Sequence, residues 1–207
     1  MSGDTELMRR VQAGDEAALG VLMERWEVPV KRTIARLVFN ASEAEDLAQE
    51  TFVRVWGQRE KFRAGADFRP WVFSIAVNLA RNRLRWWRRR PEISLQGWSE
   101  IGDRGSERGD RESARGKGGW EMGERISETD GGGAAVLERE ERAAAVRDAV
   151  AALPVELREV LVLFEYEQLS HADIATALGC TAKAVESRLY RAREKLRGPL
   201  RRWTERA

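Results

Sequence analysis

The sequence predicts an all-α protein in which two small helical domains are joined by a flexible, acidic, glycine-rich linker. Apolar residues recur at helical spacing through residues 4–90 and again from about residue 134 onward. The alternation of apolar and polar residues that is typical of half-buried strands is found in neither stretch. Residues 91–133 hold 11 of the chain's 18 glycines. Such a segment buries too little apolar surface to offset the entropy of ordering it.

Composition and charge limit the classes of function. No apolar run among the 207 residues approaches the roughly 20 needed to span a bilayer, and the N-terminus lacks the apolar core of a signal peptide. We therefore expect no membrane insertion. The single cysteine, Cys180, allows no internal disulfide, which fits a reducing compartment such as the cytoplasm.

Charge is segregated along the chain. Residues 1–90 carry 17 Lys and Arg against 12 Asp and Glu, residues 91–140 carry 7 against 12, and residues 141–207 carry 12 against 10. Two basic ends therefore flank an acidic middle. This distribution fits a polyanionic partner, and it equally fits a set of solvated faces.

Four helices are predicted in the first domain. Asp15 caps the first of them, and Pro29 is expected to break or restart the helix. A second helical stretch follows that proline. Ser42 precedes Glu45 by three residues, a capping-box pattern that opens the third helix. A polar connection then leads to a fourth helix over about residues 70–90.

The second domain is predicted to end in two helices joined by a tight turn. Ser170 and Asp173 form a capping box for a short helix over residues 172–178, and Gly179 ends it where a left-handed residue is required. Thr181 caps the last helix, which is expected to end near Arg197, before a Gly-Pro pair. Upstream, one helix is marked by apolar residues between 136 and 150, and Pro154 sits at the first turn of the next.

This helix pair predicts a DNA-binding helix-turn-helix. The second helix has an apolar stripe to bury, and its other face carries short and basic side chains. The major groove admits one helix, and such side chains reach base edges and phosphates. Arg188 could bind guanine in a bidentate manner, and Lys183 and Arg191 could pair with phosphates. The alternative is a purely structural helix pair, since a tight glycine turn also occurs in proteins that do not bind DNA.

Two features of the first domain suggest further binding surfaces. The third helix turns acidic and amide side chains and Trp56 away from its apolar stripe, which favours either a protein-docking surface or a solvated face. The fourth helix ends in an arginine-rich run, residues 81–90, that is interrupted by Trp86 and Trp87. Arginines can follow a phosphate backbone and aromatic rings can stack on unpaired bases, whereas Trp71 and Phe73 fit the core better.

Three stretches carry a resemblance to a known family: DLAQETFVRVW at 46–56, FRPWVFSIAVNLARNRLR at 68–85, and residues 153–197, which run from LPVELREVLVL through LSHADIATALGCTAKAVESRLYRAREKLR. The chain resembles the extracytoplasmic-function (ECF) group of bacterial RNA polymerase sigma factors. The resemblance implies that residues 1–90 form sigma region 2, that 91–133 form the linker, and that 134–207 form sigma region 4.

The same resemblance implies a role for individual residues. Those expected to bind core polymerase are Asp46, Gln49, Glu50 and Trp56. Those expected at the minus-ten DNA are Phe62, Phe68, Asn78, Arg81, Arg83 and Arg85. Those expected at the minus-thirty-five DNA are Thr181, Lys183, Ser187, Arg188 and Arg191. The linker is longer than is usual for the family, and the Trp86-Trp87 pair has no family role.

The function implied is promoter recognition and melting together with core RNA polymerase, without a cofactor or a metal. An anti-sigma factor as inhibitor is a further expectation of the resemblance. A stand-alone DNA-binding regulator is the main alternative, and the acidic third helix argues against it. An enzyme is disfavoured because His171 and Cys180 are the only residues of their types and residues 116–117 lack the pattern of a phosphate loop.

Overall fold

The computed structural model describes residues 3–90 and 133–204, with side chains described over 3–90 and 136–203. Within these ranges every regular element is helical, so the all-α prediction is confirmed. The helices are α1 (Gly3–Gln12), α2 (Glu16–Val38), α3 (Ala41–Gly57), α4 (Phe68–Arg89), α5 (Gly133–Ala151), α6 (Val155–Glu165), α7 (His171–Leu178) and α8 (Ala182–Thr204), with a 3-10 turn at Arg59–Lys61. The predicted linker lies almost wholly outside the described residues.

Helices α1 to α4 form the first helical group around α2. Helix α2 packs against α1, α3 and α4, and Leu22, Ile34 and Phe73 are among its fully buried contacts. Helix α1, which the sequence pattern did not separate, is held by Asp4. That carboxylate accepts a hydrogen bond from the Trp26 indole at 3.1 Å and pairs with the Arg25 guanidinium.

The helix starts show how local sequence sets these boundaries. The Asp15 carboxylate accepts a hydrogen bond from the backbone N–H of Ala18, which confirms the predicted cap of α2. The predicted cap of α3 is wrong. Asn40 rather than Ser42 begins the helix, because the Asn40 side chain already accepts from the Glu43 N–H at 3.0 Å.

The two predicted proline breaks are also wrong. Helix α2 continues through Pro29, and α8 continues through Pro199 to Thr204. A proline removes one helical hydrogen bond, but the residues after it still have an apolar face to bury. Val30 is fully buried beyond the first proline and Trp203 is largely buried beyond the second. Packing of these residues compensates for the missing bond.

Helices α5 to α8 form the second group. Pro154 lies one residue outside α6, at its N-cap, rather than in its first turn. The turn chemistry between α7 and α8 is as predicted. Ser170 accepts from the Asp173 N–H at 3.1 Å, Gly179 has φ 63°, and the Thr181 hydroxyl accepts from the Ala184 N–H at 3.2 Å. The helix-turn-helix geometry is therefore confirmed.

The two groups pack directly against each other. Helix α6 lies on α2, α7 lies on α4, and the buried apolar residues form one continuous cluster across both groups. This arrangement matters for the functional surfaces, because α4 carries one predicted DNA contact and α7 belongs to the other. None of the helices in the described ranges combines the length and apolarity needed to cross a bilayer.

Candidate DNA-binding and polymerase-binding surfaces

The outward face of α3 presents the predicted polymerase-binding residues together. Asp46 and Gln49 are exposed and Glu50 is half-buried. Their spacing of three and four residues places the side chains on one stripe. The opposite stripe, which includes Phe52 and Val55, is buried against the rest of the first group. The amphipathic pattern of this segment thus fixes which side faces solvent.

Two arginines modify the chemistry of this surface. Glu50 receives the Arg54 guanidinium through two hydrogen bonds, at 2.6 and 3.0 Å, so its charge is partly compensated. Trp56 is half-buried at the rim of the stripe. The Arg59 guanidinium lies 4.4 Å from the centroid of its ring and donates to the Trp56 carbonyl at 2.9 Å. The indole is therefore held in place beside the acidic stripe.

Sequence reasoning missed one residue of this face. Val53 is 69% exposed, the highest value among the exposed large apolar residues of the described ranges. It follows Asp46 by seven residues and Glu50 by three, so it lies on the same stripe. This helical spacing alone places Val53 with the predicted polymerase-binding residues. The face thus combines acidic, amide and apolar side chains, a mixture that suits a protein partner.

The outward face of α8 presents the second predicted set. Lys183, Ser187 and Arg191 are exposed and succeed one another at four-residue intervals. The Ser187 hydroxyl donates to the Lys183 carbonyl at 2.9 Å, and the Arg191 guanidinium donates to the Ser187 carbonyl at 3.2 Å. Lys183 pairs with Glu186 at 3.3 Å on the surface. Such an exposed pair is weak enough for a phosphate to replace it.

Arg188 and Thr181 stand apart from this stripe. Arg188 follows the buried Val185 by three residues and precedes the buried Ala192 by four, so it lies at the edge of the packed face and is half-buried. Thr181 is exposed, with its hydroxyl accepting the helix-capping hydrogen bond described above. We call the stripe of Lys183, Ser187 and Arg191 the recognition face. Both Arg188 and Thr181 lie close to it, and neither lies at its centre.

Tyr190 lies near the centre of that face and was not selected from the sequence. It is 68% exposed and follows Ser187 by three residues and Lys183 by seven. A tyrosine there presents a ring to base edges and a hydroxyl that can donate or accept. The helical spacing places Tyr190 on this face, but its side chain is neither basic nor short, and only such side chains are predicted from the sequence to contact DNA.

The six predicted minus-ten residues divide into a buried pair, an ion-paired pair and an exposed pair, and only the exposed pair forms a surface open to DNA. Phe62 is largely buried, and Phe68 is fully buried. Their rings pack edge to face at 6.4 Å, and both rings contact Trp71. Both phenylalanines, which the resemblance places at the minus-ten DNA, are core residues in this structure, because burying their rings closes the connection between α3 and α4.

Arg81 and Arg83 point to opposite sides of α4 and are both engaged. Arg81 donates to the Glu159 carboxylate of α6 at 2.6 and 2.9 Å, and this hydrogen bonding raises the pKa of Arg81. Arg83 pairs with Glu43 of α3 at 2.9 Å. In this arrangement neither guanidinium is available to a DNA strand without breaking an ion pair.

The remaining pair forms an exposed stripe. Asn78 and Arg85 are exposed on α4, and Asn82 and Arg89 continue the same face at spacings of four and three residues. Amide and guanidinium groups on one helix face can bind both base edges and phosphates. Trp86 borders this stripe, with the guanidinium carbons of Arg83 and Arg90 lying 5.9 and 5.4 Å from its ring centroid.

Comparison with known families identifies both helical groups. Residues 22–90 match the family model described as sigma-70 region 2, and residues 143–196 match the model described as sigma-70, region 4. The first match contains α3 and α4 and the second contains the helix-turn-helix. Among the described residues, no group of three or more histidine, cysteine or carboxylate side chains is arranged to hold a metal ion.

Relatives match over nearly the whole chain. RNA polymerase sigma-H factor of Pseudomonas aeruginosa is 34% identical over 93% of this chain and 91% of its own length. ECF RNA polymerase sigma-E factor of Haemophilus influenzae is 33% identical over 93% of both chains. The solved structure of CnrH in complex with the cytosolic domain of CnrY superposes with a TM-score of 0.65 at 26% identity, covering 96% of this chain and 97% of that one.

Proposed function

The chain belongs to the ECF group of sigma-70 factors and acts in promoter-specific transcription initiation, and from this we propose how its surfaces divide that task. The outward face of α3 binds core RNA polymerase, the exposed stripe of α4 binds the minus-ten element, and the recognition face of α8 binds the minus-thirty-five element. Residues 1–90 act as region 2, residues 134–207 act as region 4, and residues 91–133 connect them.

The polymerase-binding proposal is supported by the composition of the α3 face. Asp46 and Gln49 supply polar groups, Val53 supplies an exposed apolar anchor, and Trp56 forms the rim. An exposed apolar side chain beside a tryptophan that Arg59 holds in place suits a protein interface, in which aromatic anchors contribute much of the binding energy. This face also distinguishes a sigma factor from a stand-alone DNA-binding regulator, which needs no surface for core polymerase.

The minus-ten proposal is supported by the exposure of Asn78 and Arg85 on one face of α4. Arg81 lies on the neighbouring side of the same helix and joins the set when its partner Glu159 moves away. Arg83 keeps its ion pair with Glu43 within the first group and positions the helix. Phe62 and Phe68 have no part in this contact beyond supporting the fold beneath it.

The minus-thirty-five proposal is supported by the solvent-facing stripe of α8. Lys183 and Arg191 bind phosphates, while Ser187 and Tyr190 are placed to contact base edges in the major groove. Arg188 contacts DNA from the side of the helix, and Thr181 fixes the start of the helix. The observation that carries the DNA-binding proposal is that this whole stripe is exposed although the other side of α8 packs against α5, α6 and α7.

The proposal assigns no catalysis to the chain. Sigma factors are initiation factors, and RNA synthesis belongs to the polymerase that they direct. Because core polymerase and the chromosome share the bacterial cytoplasm, we place the protein there. An anti-sigma factor is a partner we expect from the family, and the likeness to CnrH, solved with the cytosolic domain of CnrY, supports that expectation.

Binding to core polymerase tests the proposal directly. A double variant, Asp46→Ala with Gln49→Ala, should bind core polymerase at least tenfold more weakly, which corresponds to about 1.4 kcal/mol. Glu27→Ala, an exposed change on α2, serves as the control and should bind like the unchanged protein. Unchanged affinity of the double variant would remove the α3 face from the interface.

A further inference from the structure

Polar side chains of α1 hold the connection between α3 and α4 in place. The Gln12 amide donates one hydrogen bond to the Arg59 carbonyl at 3.0 Å and another to the Phe62 carbonyl at 2.8 Å. The Thr5 hydroxyl donates to the Ala66 carbonyl at 3.3 Å. These bonds join residues that are 47 to 61 positions apart in the chain. They therefore tie both the start and the end of the connection to one helix.

The Gln12 side chain directs its whole donor capacity at this connection. A side-chain amide carries two N–H donors, and both point at backbone carbonyls of the connection. The residue is half-buried, on the side of α1 that packs against the 3-10 turn. One side chain that binds two carbonyls at once fixes their positions relative to each other. The backbone from Arg59 to Phe62 is thus held in one shape.

The part of the connection that faces solvent is a tight turn with one basic residue. The Ala66 N–H donates to the Arg63 carbonyl at 3.0 Å, which closes a four-residue turn over 63–66. Gly65 has φ 78° and takes the third position, at which a type II turn has a positive φ. Arg63, Ala64 and Gly65 are exposed. The turn therefore presents a guanidinium group on a backbone of defined shape.

This turn lies at the beginning of the exposed stripe of α4. The ring of Phe62, which precedes the turn, lies 5.1 Å from that of Trp71. Ser74 and Asn78 follow Trp71 at spacings of three and four residues, so the three side chains share one face of α4. Seven helical residues span about 10 Å, or roughly three nucleotide steps of about 3.4 Å. The turn and Asn78 are therefore close enough to contact one stretch of DNA.

We propose that the turn 63–66 is a further contact to the minus-ten element and that Gln12 is the positioning residue that holds it beside the exposed stripe. The inference rests on the proposed function of that stripe. Arg63 binds a phosphate, and the fixed backbone of the turn restricts where the strand can run, so that its bases meet Asn78 in one register. Helix α1, which carries none of the predicted site residues, thereby takes part in promoter recognition without touching DNA.

Variants of Gln12 that differ in hydrogen-bond donors test the positioning role. Holoenzyme is assembled from the full chain with saturating core polymerase, and open-complex formation is measured on a promoter that it uses and on derivatives with single minus-ten substitutions. Gln12→Leu keeps the size but removes both donors, and should reduce discrimination among these promoters about fivefold, the scale of one net hydrogen bond. Gln12→Lys retains donors at similar reach and should keep most of the discrimination. Glu6→Gln, an exposed change on the same helix, should leave it unchanged.

Substitution of Arg63 tests the contact itself. Arg63→Ala should weaken open-complex formation by a similar factor on every derivative, because a phosphate contact carries no sequence information. It should also reduce the slope of log affinity against log salt concentration by about one. Arg147→Ala removes the same charge from an exposed position on α5 and should leave the slope unchanged. An unchanged slope for Arg63→Ala would remove the turn from the DNA contact.

Urea denaturation of each variant separates positioning from stability. If Gln12→Leu were less stable and less active by one factor on all promoters, with discrimination unchanged, the role of Gln12 would be structural only and the proposal overturned. Should Gln12→Leu unfold, Gln12→Glu keeps the shape without the donors and should lose discrimination in its place. If Asn78→Ala also left promoter opening unchanged, the proposed function of the stripe would fail, and this inference with it.

Discussion

Helices α8 and α4 carry the two proposed DNA contacts, and they differ in how much of their surface other helices cover. Helix α8 packs through one apolar stripe, so every basic residue away from that stripe reaches solvent. Helix α4 packs on α2, α3 and α7. Its five predicted DNA residues, together with Phe62 of the preceding connection, lie in three environments: buried, ion-paired and exposed. A helix with one packed face can be interpreted from its sequence, whereas a central helix cannot.

Substitution of Phe68 tests the core assignment and should produce the largest effect. Phe68→Ala removes a fully buried ring and should lower the free energy of unfolding by about 3–5 kcal/mol, measured by urea denaturation followed by circular dichroism. Asn78→Ala, an exposed change on the same helix, should stay within about 0.5 kcal/mol. If the two variants were equally stable and Phe68→Ala lost only DNA binding, the comparison would fail.

The exposed residues Asn78 and Arg85 of α4 should matter more to promoter opening than Arg83, whose guanidinium is paired with Glu43. Asn78→Ala and Arg85→Ala should each reduce open-complex formation at least about tenfold, since a hydrogen bond to a charged group contributes roughly 1.5–3 kcal/mol. Permanganate reactivity of unpaired thymines in the holoenzyme–promoter complex measures this. Arg83→Gln is the matched comparison and should cost far less. An equal loss for Arg83→Gln would show that its ion pair with Glu43 opens on DNA.

Individual contacts on α8 should separate into backbone and base contacts. Lys183→Ala should weaken binding similarly on all sequences and reduce the slope of affinity against salt concentration by about one. Tyr190→Ala should instead relax preference among minus-thirty-five sequences with little change in that slope. Fluorescence anisotropy with duplexes of varied sequence at several salt concentrations distinguishes the two. A changed slope for Tyr190→Ala would assign it to the backbone instead.

Helix caps should produce the smallest effects, in both helical groups. Ser170→Ala and Asn40→Ala each remove a side chain that accepts a backbone hydrogen bond and should cost about 1 kcal/mol in unfolding free energy. Ser42→Ala is the control, because the structure gives Ser42 no capping role. A cost for Ser42→Ala equal to that for Asn40→Ala would restore the cap that the sequence predicted.

These cases show what the sequence could determine. The capping box at Ser170 and the left-handed Gly179 are local, so residue types alone predicted them correctly. Pro29 and Pro199 were assigned as breaks because the rule for proline is local, while the packing that overrides it comes from residues distant in the chain. Phe62 was expected at DNA from the resemblance, and its burial likewise depends on a distant contact, with Trp71, and on the closure of the connection before α4.

The interface between the helical groups lay beyond sequence reasoning altogether. The resemblance and the basic run around Arg81 predicted a DNA contact, whereas its partner Glu159 lies 78 residues away. No pattern in a single sequence pairs two such residues. Helical spacing alone is enough to place Val53 and Tyr190, because each lies on the same helix face as residues predicted to bind a partner.

Transcription in vitro tests the central claim most directly. Core RNA polymerase is supplied with fragments of genomic DNA, with and without this protein, and the start sites are mapped. The account predicts starts that depend on the protein and that share two upstream elements about two helical turns apart, and it predicts their loss with the Asp46→Ala, Gln49→Ala double variant. Start sites that are the same with and without the protein would contradict it.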